Sequence, residues 1–222
     1  MTPGCRGSAR FERVPDTCIV LIRHGHHDPR GRHLQHDCEG LTDLGQQQAR
    51  ALAVRLVSHN LNHREVTEIL TSRAARAIET GRLLADLIGI PLASPSCDWC
   101  EMHPGEAEGL TVEEMLDKYG PTYADVPGGE YFPIWLPRAV ETLRALAAES
   151  RGRTVVAVTH SGVVKASFVA FGRMPASTAE SVSTANTGIT VWTQPVQGRN
   201  PRCDVWSLER HNDTAHLDAS QL

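Results

Sequence analysis

Two apolar runs, each ending on a histidine and each followed by small residues, constrain this chain most. Cys18-Ile19-Val20-Leu21-Ile22 leads into Arg23-His24-Gly25, and Thr154-Val155-Val156-Ala157-Val158-Thr159 leads into His160-Ser161-Gly162. Short β-branched runs of this kind read as strands buried on both faces, which belong to a parallel sheet covered by helices. Between them lie stretches with apolar residues at helical spacing: Ala49, Leu52, Ala53, Leu56 and Val57 in one, Ala77, Leu83, Leu84 and Leu87 in the next. Strands alternating with helices imply an α/β fold, a three-layer α/β/α sandwich around a mostly parallel central sheet. Two such strand ends meet at one edge of the sheet, where open α/β sheets take their ligands.

The pattern predicts strands at about 17–23, 66–70 and 153–159, and two more at 188–193 and 203–208. Helices are predicted after Thr42 (a suitable N-cap), over 73–88 before a stop at Gly89, at about 111–119, over 138–149 and over 163–171. Residues 1–16, rich in Gly, Arg and Pro, read as a flexible arm. Residues 17–217 read as a single domain and 218–222 as a tail, with the residues from 209 onward polar. Within the domain, 91–137 is irregular, and a connection this long reads as a lid or substrate wall.

Composition narrows the partners. Lys+Arg 22 against Asp+Glu 26 gives a net charge of -4, which argues against nucleic acid as a partner. No run approaches the roughly 20 apolar residues that span a bilayer, so no membrane partner is expected. The first 17 residues carry Arg6, Arg10 and Arg13 without an apolar stretch, and a cytoplasmic location is the expectation. Six cysteines scattered over 222 residues read as free thiols. Cys97-Asp98-Trp99-Cys100 lacks both the second ligand pair of a zinc site and the strand-then-helix context of a redox pair, so it reads as two loop cysteines. Oligomeric state is not set by the sequence; a homodimer is compatible with it.

The residues at the strand ends suit phosphate chemistry. The guanidinium of Arg23 is a bidentate anion clamp, and the neighbouring imidazole of His24 can attack phosphorus. His160 repeats that placement. A single strand-end histidine is usually a hydrogen-bonded structural one; for two at matched positions the structural and chemical readings balance. Arg76 falls in the first turn of its helix, where free N–H groups and the dipole also favour an anion. Glu101, in the loop Glu101-Met102-His103-Pro104-Gly105-Glu106-Ala107-Glu108-Gly109, can carry the proton that a departing alcohol requires.

In this order, Arg23-His24-Gly25, Ser72…Arg76…Thr80, Glu101 with Gly105 and Glu108-Gly109, and Thr159-His160 resemble the histidine phosphatase superfamily, which includes the phosphoglycerate-mutase-like phosphatases. Secondary marks agree: Leu41-Thr42-x-x-Gly45, Gly128-Gly129-Glu130 with Arg138, Asn186, and Asn212-Asp213-x-x-His216-Leu217. The similarity covers about residues 17–217 and implies a phosphoglycerate-mutase-like fold for that catalytic domain. It implies a phosphohistidine on His24, equatorial oxygens held by Arg23, Arg76 and His160, and Glu101 as general acid and then base. It implies no cofactor and no metal, since the arginines and His160 supply the positive charge. The chain departs from the family pattern after the nucleophile, where His26-His27-Asp28-Pro29-Arg30-Gly31-Arg32 stands; Arg30 or Arg32 is a candidate for a second anionic group of the substrate, and Ser161 for the phosphate.

The expected activity is therefore hydrolysis of a small phosphorylated metabolite, a phosphomonoester, without metal. The alternatives are a phosphoglycerate-type mutase and a non-catalytic module that binds phosphorylated ligands. Mutases of this type usually carry a longer middle insertion and an Asn-containing loop after the nucleophile, and this sequence has neither. The presence of His24, Glu101 and all three cationic positions argues against a silent module.

Overall fold

The computed structural model describes residues 15–28, 40–195 and 205–221; Arg30, Arg32 and most of the N-terminal arm lie outside them. Five strands form one sheet: β1 (Thr17–Arg23), β2 (Val66–Thr71), β3 (Thr154–Thr159), β4 (Ile189–Gln194) and β5 (Ser207–Asp213). Their order is β2-β3-β1-β4-β5. β1 and β2 both pair parallel with β3, whereas β4 is antiparallel to both β1 and β5. Four of the five strands thus point one way, and the sheet is mixed.

The alternation of side chains along β1 builds both cores. Ile19 and Leu21 enter one cluster, with Trp135, Leu143, Val163 and Phe168 of α4 (Phe132–Glu149) and α5 (Ser161–Ala170). Cys18, Val20 and Ile22 enter the other, with Leu52, Leu56, Ala77 and Leu84 of α1 (Asp43–His63) and α2 (Ala75–Ile88). All five of these β1 side chains are fully buried. Each Leu or Ile so placed contributes roughly 1.5–3 kcal/mol relative to exposure, so a polar residue in the run would forfeit that burial. Two shorter helices complete the fold, α3 (Val112–Tyr119) and α6 (Ala176–Ala179). α3 opens with a capping box between Thr111 and Glu114, and α2 closes on Gly89 in the left-handed conformation at φ 77°. No helix among the described residues is long and apolar enough to cross a membrane.

Three expectations need correction. α4 begins at Phe132, six residues before the predicted 138, so the irregular stretch ends earlier than 137. Pro133 sits in the first turn, where its missing N–H is harmless, and Pro137 forgoes only one ladder bond. Burial of Phe132, Trp135 and Leu136 outweighs that loss. The last strand is Ser207–Asp213, not 203–208, and takes in residues read as polar tail. It is an edge strand, so charged residues suit it. Arg64 grips Glu209 through two bonds of 2.7 and 2.6 Å, and Arg55 reaches Asp213. Finally, Cys97 and Cys100 are joined as a disulfide rather than free. The short 3-10 turn Cys97–Trp99 brings their Cα atoms to 4.7 Å, within bridging range.

Candidate active site

The parallel register that places Arg23 opposite Thr159 also sets the next residue of each strand side by side. The His24 N–H donates to the Thr159 carbonyl at 2.9 Å, and the rings of His24 and His160 lie 5.1 Å apart. Turning the chain after His24 needs close backbone approach. A Cβ on Gly25 would come within 2.7 Å of the Gly45 carbonyl oxygen, so glycine is required there. The Gly25 N–H donates to Thr80 Oγ1, and Asn186 Nδ2 donates to the His24 carbonyl.

Hydrogen bonds set the tautomers. His24 Nδ1 faces the Gly25 carbonyl at 2.8 Å and must carry the proton, because a carbonyl only accepts. Its Nε2 therefore holds a lone pair, which accepts from Arg76 Nε at 3.1 Å. Arg76 also approaches His160 Nδ1 through NH2 at 3.3 Å, leaving His160 Nε2–H to donate to Ser72 Oγ at 2.8 Å. His24, His160 and Arg76 are all nearly fully buried. Arg23 donates to the Thr184 carbonyl at 2.7 Å, and its buried Nε has no hydrogen-bond partner among the described residues. Burial lowers the Arg23 pKa; the Glu101 carboxylate opposes this and the Arg76 charge adds to it. Two guanidiniums crowded into one buried site call for an anion between them.

Glu101 is anchored on α5. Its Oε2 accepts from the Gly162 N–H at 2.8 Å, in the first turn of α5, where the free N–H groups favour a carboxylate. Gly162 leaves room for it: an added Cβ would lie 2.1 Å from Glu101 Oε1 and 3.0 Å from the Trp135 ring. Gly162→Ala is expected to displace this carboxylate while leaving the fold intact. Turnover of alkyl monoesters should fall up to about 10²-fold, with a smaller loss on p-nitrophenyl phosphate. Equal rates in mutant and parent on both substrates would separate Gly162 from the chemistry.

Arg23, His24, Arg76, Glu101, His160 and Ser161 all line one cavity of about 820 Å³. Ser161 Oγ accepts from Thr184 Oγ1 at 2.7 Å. Arg30 lies outside the described residues. The outer wall is clasped by Glu130, which binds Arg138 through two bonds of 3.1 and 2.5 Å and accepts from the His103 N–H at 3.0 Å. Burial tends to raise the Glu130 pKa, but the bonds from Arg138 and the His103 N–H, with the charges of those two residues, together lower it.

Sequence reasoning missed His27. Its ring stands 5.1 Å from His24, edge to face, and lines the same cavity. The available signal was the run of three histidines around Gly25.

Among the described residues four imidazoles are biased to the neutral form: His24, His27, His216 and, through burial, His211. Burial, then the neighbouring His160 and the Arg76 charge, keeps His24 well below 6.5. Burial with Arg76 and Arg23 lowers His27 to about 4, and burial with Arg55 lowers His216 to about 4. The unfolded chain takes up these protons near 6.5 and the folded chain does not, so stability falls as pH drops through that window. Urea unfolding should give a level free energy above about pH 7 and a steady decline toward about pH 5. A level curve across that interval would contradict the neutral assignments.

Comparison with known proteins identifies the family. The family model for the histidine phosphatase superfamily (branch 1) matches residues 19–212. Phosphoglycerate mutase-like protein 4 of Arabidopsis thaliana is 29% identical over 213 residues, covering 90% of this chain and 86% of that protein. A metal-independent phosphoserine phosphatase of Arabidopsis thaliana is 28% identical over 216 residues, covering 91% and 84%. Among solved structures, YhfR of Bacillus stearothermophilus superposes with a TM-score of 0.74 at 27% identity, over 90% of this chain and 98% of that one. The chain belongs to the histidine phosphatase superfamily, branch 1.

Proposed function

We propose that the chain is a metal-independent phosphomonoesterase of small phosphorylated metabolites that works through a phosphohistidine on His24. One observation carries this reading: where His24 and Arg76 are both nearly fully buried, the only lone pair of the His24 ring faces Arg76. An entering phosphate takes over the Arg76 donors and frees Nε2 for in-line attack on phosphorus. Arg23, Arg76 and His160 hold the equatorial oxygens and neutralise their charge as the bond to the leaving oxygen breaks. Glu101 gives its proton to that oxygen, then takes one from the water that attacks the phosphohistidine. Ser161, at the same cavity wall, is a further phosphate contact. The residues around 17–217 act as one catalytic domain, with the cytoplasm as its proposed compartment. The metal-independent phosphoserine phosphatase relative supports both the lack of a metal requirement and phosphoserine as a first substrate to try.

The test is rapid quenching of p-nitrophenyl phosphate turnover in EDTA, followed by peptide mapping under alkaline conditions that preserve phosphohistidine. The expected result is one phosphoryl group on the peptide bearing His24. Turnover without any phosphorylated peptide, or turnover abolished by EDTA, would overturn the mechanism. Conversion of 3-phosphoglycerate to its 2-isomer without free phosphate would establish a mutase instead.

A further inference from the structure

The disulfide between Cys97 and Cys100 sits directly before Glu101, and its surroundings tie it to the active site. The turn it closes is capped by Ser96 Oγ, which accepts from the Asp98 N–H at 3.2 Å. The Ser96 N–H donates to the Thr71 carbonyl at the end of β2. The Trp99 carbonyl accepts from Thr159 Oγ1 at 2.7 Å, one residue before His160. On the other side, Arg138 NH1 reaches the Cys97 carbonyl at 3.4 Å. The chain leaves this bracket at Cys100, and the next side chain is the carboxylate bound to the first turn of α5.

The two sulfurs differ in environment. Cys100 is fully buried, whereas Cys97 is half-buried with its Sγ 3.7 Å from His103 Nε2. A half-open sulfur beside an imidazole is the side at which an incoming thiolate attacks and at which a leaving thiolate is stabilised.

We propose that Cys97 and Cys100 form a thiol–disulfide exchange site whose oxidised form holds Glu101 in its catalytic position. The reducing partner is a dithiol. One of its thiolates attacks Cys97 Sγ; the S–S bond breaks, and Cys100 departs with the electron pair and takes up a proton. The second thiol of the partner then attacks its own sulfur in the mixed disulfide and expels Cys97 as a thiolate beside His103, which is then protonated. The partner leaves as its disulfide, having supplied two electrons and two protons. With the four-residue ring open, the backbone leading into Glu101 loses its covalent closure and the carboxylate leaves the Gly162 N–H. The exchange is independent of the proposed function; its effect on turnover rests on it.

The test equilibrates the full-length protein in dithiothreitol buffers from oxidising to reducing, followed by N-ethylmaleimide labelling and peptide mapping. At the oxidising end both Cys97 and Cys100 should stay unlabelled even after unfolding; at the reducing end Cys97 should label in the folded protein and the buried Cys100 once the quenched protein is unfolded. Cys18 serves as the internal control, since burial pushes its thiol up to about 11 and it stays unlabelled while the protein is folded. Reduction should lower phosphoserine turnover by part of the roughly 10²–10⁴-fold that a positioned proton donor supplies, and change p-nitrophenyl phosphate turnover little. The double variant C97S/C100S, checked for folding by circular dichroism, should show the reduced enzyme's rate ratio and no response to the buffer. Labelling of both thiols at the oxidising end would overturn the exchange site. An unchanged rate ratio between the two forms, or a double variant that still responds, would overturn the coupling to Glu101. If the thiols titrate while neither ester is hydrolysed in any buffer, the exchange site stands and the phosphatase reading fails.

Discussion

His24→Ala should lower turnover of p-nitrophenyl phosphate by on the order of 10⁴–10⁶-fold, the scale on which enzymes lose activity with their nucleophile. Removing the ring leaves Arg23, Arg76 and His160 in place, so the cradle still presents its cations to an anion. Inorganic phosphate should therefore bind the variant within a few-fold of the parent, as calorimetry can measure. The two readouts divide the roles: turnover follows the lone pair on Nε2, while affinity follows the guanidiniums. The quenched phosphopeptide should vanish as well. A variant that keeps a tenth of the parent's turnover would remove His24 from the nucleophile role, whatever its position in the cradle.

The polarised arrangement of this site explains which parts of it the sequence disclosed. His24 and His160 were legible because each terminates an apolar run, and a run buried on both faces can only be an inner strand. The parallel pairing of β1 with β3 then forces the two residues after the strands together. Arg76 was legible for a related reason, since it opens the helix that follows β2. What propensity did not carry was the neighbourhood of Glu101. That carboxylate is placed by the α5 N–H groups, 61 residues away in sequence, and by the absence of a Cβ on Gly162. Such contacts leave no local period.

The misplaced elements share a cause. Prolines at 133 and 137 hid the first turns of α4, because local rules treat proline as a stop while the helix answers to the core that Phe132 and Trp135 enter. β5 was shifted because an edge strand need not be apolar; its place depends on pairing with β4 and on ion pairs to α1 and the loop after it. The pairing of Cys97 with Cys100 was invisible for the same kind of reason: only the turn geometry sets their separation.

Arg76→Ala is expected to cost about 2–5 kcal/mol in kcat/KM, because it removes a charge-assisted clamp from a fully desolvated anion. At 1.4 kcal/mol per tenfold this is roughly 30- to 4,000-fold. Arg76→Lys should recover only part of it. A lysine offers a point charge and cannot reach His24 Nε2 and His160 Nδ1 together, as the planar guanidinium does at 3.1 and 3.3 Å. A second readout distinguishes this role from simple packing. The Arg76 charge is one of the causes that depress the His24 pKa, after burial and His160. Without it, the His24 titration followed by NMR should move up toward its ordinary value, and the acid limb of kcat/KM should move with it. A variant that loses activity with no change in the His24 titration would assign Arg76 to substrate binding without electrostatic contact to the nucleophile. One with unchanged kinetics would take Arg76 out of the site's chemistry, since a guanidinium that close to both imidazoles cannot be neutral toward an anion bound between them.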